Sequence, residues 1–93
     1  MTSKVNASHI LVKTEQEALA CLTYMKQGRS FEELAREKSL CPSGKKGGSL
    51  GWFARGQMVR EFEQAAFSEK KGQIIGPVKT QFGWHLIRID DTA

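Results

Sequence analysis

The chain has 93 residues, 40% hydrophobic and 26% charged, with 14 Lys and Arg against 10 Asp and Glu for a net charge of +4. That is the length of one domain, expected over residues 1–93, with no room for the several βαβ units of most nucleotide-dependent enzymes. The composition is that of a globular protein rather than a disordered one, and no apolar run is long enough to cross a bilayer.

Val5 to Val12 reads as a strand, with Val5, Ala7, His9 and Leu11 on one face and Ile10 and Val12 on the other. Thr14-Glu15-Gln16-Glu17 is a capping box that opens a helix carrying Ala18, Leu22 and Met25 inward with Leu19 beside them. Gly28 ends that helix, since glycine tolerates the left-handed position after a C-cap. Ser30-Phe31-Glu32-Glu33 opens a second, short helix with Phe31, Leu34 and Ala35 inward, running to about Lys38.

Pro42 bars helical geometry at Cys41, so the chain turns there. Pro42 to Gly51 reads as a flexible, glycine-rich surface loop, and Leu50 to Ala54 as a short strand. Helical spacing returns over Val59 to Ser68, with Val59, Phe62 and Ala66 inward. Gly76 to Thr80 is short and extended, with Pro77 near a strand start or on a sheet edge. Trp84 to Ile89 is the last strand, with His85, Ile87 and Ile89 on one face. The order β-α-α-β-α-β-β lacks regular βαβ alternation, which points to the α+β class with a mostly antiparallel sheet.

Chemistry has few candidates. The cysteines, Cys21 and Cys41, form no disulfide framework, and no Cys or His pair has zinc-ligand spacing. The start Met1-Thr2-Ser3-Lys4-Val5-Asn6 lacks the apolar segment of a secretory signal, so the expectation is reduced thiols in the cytoplasm. The basic residues are dispersed, which argues against a nucleic-acid face, although Lys45-Lys46 and Lys70-Lys71 are adjacent pairs. The glycine-rich loop has neither phosphate-binding fingerprint.

Two readings stand side by side at each of three places. His9 and His85 are either separately buried and hydrogen-bonded or coupled across the sheet. Cys41 is either a half-buried small hydrophobe or a polar or nucleophilic group facing a cleft. Met58 and Phe62, four residues apart on one helix face, are either core or the walls of an apolar pocket. Cys21, near the apolar stripe of the first helix, reads as structural.

Seven segments follow one another in an order that resembles the parvulin family of peptidyl-prolyl cis/trans isomerases. They are Ala7-Ser8-His9-Ile10-Leu11-Val12, Ser39-Leu40-Cys41-Pro42-Ser43-Gly44, Gly47-Gly48-Ser49-Leu50-Gly51-Trp52-Phe53, Gly56-Gln57-Met58-Val59, Phe62-Glu63-Gln64-Ala65-Ala66-Phe67, Gly76-Pro77-Val78-Lys79-Thr80 and Phe82-Gly83-Trp84-His85-Leu86-Ile87. The resemblance implies a parvulin-like, FKBP-like four-stranded antiparallel sheet wrapped by helices, with His9 and His85 on adjacent central strands. It also implies that His9, Cys41, Thr80 and His85 form the polar side of a catalytic cleft. Leu50, Met58, Phe62 and Phe82 would form the pocket for a substrate proline. Proline-containing polypeptides are the implied partners of a monomer that needs no cofactor or metal and assists folding.

The sequence departs from parvulin patterns in two places. Phospho-specific members carry a long basic loop after the first strand, whereas here Lys13 runs straight into the Thr14 capping box. Many relatives have proline where Arg60 follows Gln57-Met58-Val59, and arginine is acceptable at a helix start. The competing functions are a non-catalytic chaperone or peptide-binding module, and a cysteine hydrolase built on Cys41, for which no oxyanion signature is present.

Overall fold

The structure, a computed structural model, describes residues 2–68 and 70–93. Met1, where the reading for a leader segment begins, lies outside the described residues. The elements in chain order are β1 (Lys4–Val12), α1 (Glu15–Lys26), α2 (Phe31–Lys38), a 3₁₀ turn (Pro42–Lys46), β2 (Ser49–Ala54), α3 (Arg60–Ser68), β3 (Ile74–Thr80) and β4 (Gly83–Thr92). The strands form one antiparallel sheet in the order β2-β1-β4-β3.

Local chemistry starts the first two helices as expected. The Glu17 N–H donates to Thr14 Oγ1 at 3.2 Å, and the Glu33 N–H donates to Ser30 Oγ at 3.1 Å. Each bond satisfies one of the backbone donors that a helix start leaves open. Gly28, with φ of 102°, leads the chain out of α1. The third helix begins one residue later than the spacing suggests. Arg60 is its first residue, and the Glu63 N–H closes the first turn onto the Val59 carbonyl at 2.9 Å.

The two central strands are covered on both faces, so the core divides in two. Ile10, Val12 and Leu86 pack with Ala18, Cys21, Phe31, Leu34 and Ala35 under α1 and α2. Val5, Ala7, Ile87 and Ile89 pack with Phe53, Phe62 and Ala66 under α3. The division follows the alternation of β1 and β4, because successive side chains leave a strand on opposite faces. Burying each such aliphatic side chain contributes about 1.5–3 kcal/mol. Within α1 the fully buried positions are Ala18 and Cys21, while Leu22 and Met25, expected inward, are partly buried and Leu19 is exposed. Pro77 sits on the edge strand β3, inside the register break between Ile75 and Val78, where a missing N–H disrupts no regular ladder.

The glycine-rich loop departs from expectation. Its first half is the 3₁₀ turn, and Gly44, Gly47 and Gly48 are buried rather than flexible on the surface. These glycines let the loop lie against α2 and β1. A Cβ on Gly48 would stand 2.5 Å from the His9 carbonyl oxygen, and one on Gly44 would stand 2.7 Å from that of Ala35. Gly48 also accepts the His9 N–H at 2.9 Å, which pins the loop beside β1.

Gly48→Ala is therefore expected to lower stability by about 3 kcal/mol or more, combining a strained φ of 90° with a backbone clash. Gly28→Ala, with nothing within 4 Å of the added Cβ, is expected to cost about 1–2 kcal/mol. Urea midpoints of the two variants test the ranking, and equal losses would contradict the close-approach role of Gly48.

Candidate active site

β1 and β4 are neighbours, with Leu11 opposite His85 and His9 opposite Ile87. The two histidines thus stand diagonally on one face, a separation that large side chains bridge. Their rings lie within 20° of parallel, and Nδ1 of His9 is 3.0 Å from Nδ1 of His85. The coupled reading of the pair is the one the fold builds.

Each remaining ring nitrogen meets a hydroxyl. His9 Nε2 is 3.1 Å from Ser43 Oγ, and His85 Nε2 is 2.7 Å from Thr80 Oγ1. Thr80 Oγ1 also accepts the Phe82 N–H at 3.2 Å. The Thr80 hydroxyl keeps its own proton to donate, and His85 Nε2 is a side-chain acceptor within reach. One arrangement pairs every ring nitrogen: Thr80 donates to His85, His85 Nδ1–H to His9 Nδ1, and His9 Nε2–H to Ser43. Both rings are neutral in this arrangement, and it leaves no buried side-chain polar atom unpaired among the described residues.

Burial holds the rings neutral. It pushes the His9 pKa down to about 4, with His85 as the second cause, and it lowers that of His85 as well. Between pH 6.5 and 4 the unfolded chain therefore binds a proton that folded His9 refuses. Stability is full above about pH 6.5 and falls with acidification, by about 3 kcal/mol from His9 once the pH reaches 4, with a loss of the same sign from His85. Urea unfolding at pH 7.5, 6, 5 and 4 measures this. A stability that rises toward pH 5 would contradict the neutral pair.

Phe62 of α3 covers the pair. Its ring stands edge-on to both imidazoles, with centroids 5.6 Å from His9 and 5.3 Å from His85. It packs on Phe53 at 6.0 Å and is itself only 3% exposed.

Above these rings opens a cleft of about 520 Å³, lined by Leu11, Leu40, Cys41, Pro42, Leu50, Gln57, Met58, Val59, Phe62 and Phe82 together with His9 and His85. The volume falls in the range of about 300–1,000 Å³ typical of ligand clefts. The lining carries no charged side chain once the histidines are neutral. Leu40 and Phe82 form an exposed apolar rim.

Cys41 reaches this cleft through Ser39. The Leu11 N–H donates to Ser39 Oγ at 3.1 Å and the Leu40 N–H to the Leu11 carbonyl at 2.8 Å, which carries the end of α2 across β1. Cys41 is a half-buried free thiol. Gln57 is fixed at the other wall, where its Oε1 accepts the Ala54 N–H at 2.6 Å.

His9, Cys41, His85, Leu50, Met58, Phe62 and Phe82 thus converge on one cleft. Thr80 does not line it. It stands behind His85 as the far end of the hydrogen-bonded chain. Ser43 closes the near end and is absent from the sequence-based expectation, as are Leu11, Leu40 and Pro42, while Gln57 and Val59 flank Met58 in the cluster weighed as core or pocket. No spacing rule singles out Ser43, because its contact with His9 depends on how the buried glycines seat the loop. No group of three or more His, Cys, Asp or Glu side chains suited to holding a metal ion occurs among the described residues.

Residues 5–91 match the rotamase family, described as the PPIC-type PPIase domain. The foldase protein PrsA of a Geobacillus species is 48% identical over 89 residues, covering 95% of this chain and 32% of that protein. The chain spans about a third of the length of such curated relatives. Among solved structures, NmPin, the parvulin of Nitrosopumilus maritimus, superposes with a TM-score of 0.85 at 43% identity, covering 96% of this chain and 97% of that one. A structure from Campylobacter jejuni, from work describing PEB4 and the periplasmic protein Cj1289 as SurA-like chaperones, gives a TM-score of 0.90 at 43% identity. It covers 99% of this chain and 40% of that one. With its helix-wrapped antiparallel sheet, its stacked histidines under an apolar cleft and a family match over nearly its whole length, the chain belongs to the PPIC-type peptidyl-prolyl cis/trans isomerases, the parvulins.

Proposed function

We propose that this domain catalyses cis/trans rotation of X–Pro peptide bonds in polypeptides, and that it does so as one catalytic unit over residues 1–93. The observation that carries the reading is an uncharged, apolar cleft floored by a neutral, fully hydrogen-bonded histidine pair. Amide resonance sets a rotation barrier of about 18–20 kcal/mol. The two X–Pro isomers differ by only about 0.5–1 kcal/mol, yet exchange over tens to hundreds of seconds. No bond breaks, so the task is to favour the twisted amide over both planar forms.

Leu50, Met58, Phe62 and Phe82 hold the proline ring. The carbonyl preceding it rotates against the cleft wall that carries Cys41. Burial in an apolar site favours the twisted amide, whose lost resonance leaves a less polar bond than either planar form. His9, His85 and Thr80 set the floor beneath Phe62 without exchanging protons with the substrate.

A protease-coupled assay on peptides that vary the residue before proline tests the reading. Acceleration is expected at catalytic enzyme concentrations, with apolar residues before proline accepted and no requirement for phosphoserine or an acidic residue there. Binding without acceleration would instead support a chaperone module, which the exposed rim residues Leu40 and Phe82 and the SurA-like relative favour.

Cys41 serves as a wall rather than a nucleophile, because rotation needs no covalent intermediate. Cys41→Ser and Cys41→Ala are expected to keep kcat/KM within about tenfold of the parent, a change of about 1.4 kcal/mol in barrier. A folded Cys41→Ser variant without activity would contradict the wall.

The acting form is a monomer. A cytoplasmic setting rests on the two free thiols, and the structure matched from work that includes a periplasmic protein does not favour it. No helix among the described residues is long and apolar enough to cross a membrane.

A further inference from the structure

The cleft has a second chamber. Leu40, Cys41 and Pro42 line the prolyl cleft on one side and a separate depression of about 350 Å³ on the other, completed by Arg36, Ser39, Gly44 and Lys45. The character changes across this three-residue wall. The prolyl side has no charge, while the far side has two cations and no carboxylate.

Neither cation is neutralised in place. Among the described residues, the ion pairs of the chain involve Arg29, Lys71 and Arg88, not Arg36 or Lys45. The carboxylate nearest in influence is Glu32, and its Oε1 is already bonded to Arg88 at 3.0 Å. Gly44, which lines the depression with the two cations, is buried, and a Cβ added to it would stand 2.7 Å from the Ala35 carbonyl oxygen and 3.1 Å from Ser39 Cβ. A ligand group therefore meets backbone and two positive side chains there.

We propose that this depression is an acidic subsite, binding a carboxylate side chain of the same polypeptide whose proline occupies the neighbouring cleft. The inference rests on the isomerase reading of that cleft. One residue advances an extended chain by about 3.3 Å, so a strand crossing the Leu40–Pro42 wall places the acidic residue at least two positions from the proline. The residue directly before proline stays on the apolar side. The subsite thus selects among substrates by a charge outside the rotating bond.

The test uses an Ala-Leu-Pro-Phe-type host peptide carrying Glu or Gln at the second, third or fourth position on either side of proline. At low ionic strength one Glu position is expected to lower KM about three- to tenfold against its Gln counterpart, the scale of two partly exposed ion pairs, and the ratio shrinks at about 0.5 M salt. In Arg36→Gln/Lys45→Gln the ratio falls to about one. In Lys4→Gln/Lys71→Gln, which removes the same net charge away from the depression, the ratio persists.

A Glu-to-Gln ratio of one at every position, or a ratio intact in Arg36→Gln/Lys45→Gln, would overturn the subsite. Failure to accelerate the Gln peptides would overturn the isomerase reading instead. The subsite is then read directly by nuclear magnetic resonance titration, where stronger shifts at Arg36, Gly44 and Lys45 with Glu than with Gln peptide support it and equal shifts refute it.

Discussion

Phe62→Ala is expected to lower folding stability by about 3–5 kcal/mol and to remove most isomerase activity in whatever fraction stays folded. Phe62 belongs to two structures at once. It is a buried member of the α3-side core, packed against Phe53, and it is the inner wall of the cleft. Truncation opens a cavity that reaches the cleft, so water enters beside His9 and His85. The proline ring then loses its flat wall, and the imidazoles lose the edge-on ring that excludes solvent from them.

Total stabilities of small domains are about 5–15 kcal/mol, so Phe62→Ala will be marginal. Phe62→Leu, which keeps most of the volume, is expected to cost about 1.5 kcal/mol or less and to separate the two roles. It should fold at 25 °C with a raised KM. Urea unfolding and peptide kinetics on both variants provide the measurements, and a Phe62→Leu enzyme with unchanged KM would place the proline elsewhere.

The second large effect concerns the histidine pair. His9→Leu removes the acceptor of the His85 Nδ1 proton. A change of tautomer at His85 does not compensate, since its Nδ1 then becomes a buried acceptor with no donor in place of His9. Either way one buried polar atom is stranded, at a cost of about 1–3 kcal/mol, and His85→Leu strands His9 in the same manner. The His9→Leu/His85→Leu double variant removes both partners together. Its loss is expected to stay close to that of the worse single variant, giving a coupling energy of about 1–2 kcal/mol in a double-mutant cycle.

Catalysis follows the same logic. The pair holds the floor of the cleft and, through Thr80, the start of the β3–β4 turn that presents Phe82. The double variant, with an apolar floor, is expected to retain about a tenth or more of the parental kcat/KM, a loss of up to about 1.4 kcal/mol in barrier. Additive stability losses would contradict the hydrogen-bonded chain. Complete inactivity of a folded double variant would show that the imidazoles take part in the chemistry.

Much of the fold is legible because it is local. Thr14 and Ser30 cap their helices through bonds spanning three residues, and the apolar spacing of Phe31, Leu34 and Ala35 describes the buried face of α2 without reference to anything distant. The alternation of Val5 and Ala7 against Ile10 and Val12 likewise predicts which half of the core each joins. Residue spacing leaves the histidine contact open. The register that sets Leu11 opposite His85 depends on 73 intervening residues and on a register shift between Asn6 and Ala7. It was the ordered set of parvulin-like segments that joined the two.

The loop from Pro42 to Gly51 marks where local reasoning stops. Positive φ at Gly47, Gly48 and Gly51 accords with glycine's conformational freedom, but the burial of Gly44 and Gly48 comes from close approach to α2 and β1. That approach places Ser43 on His9 and Lys45 beside Arg36, neither of which any sequence period encodes. Thr80 illustrates the converse. The resemblance assigned it to the polar side of the cleft, and the structure sets it one layer deeper, behind His85.

The central claim is that this cleft turns the X–Pro bond itself. Magnetisation-exchange spectroscopy on a proline peptide measures that rotation without a coupling protease. With the domain at a small fraction of the peptide concentration, cis–trans exchange cross-peaks are expected on the sub-second timescale, against tens to hundreds of seconds for the peptide alone. They should persist with Cys41→Ala and weaken sharply with Phe62→Ala. Resonance shifts that report binding, with no exchange cross-peaks at any enzyme concentration, would contradict the account.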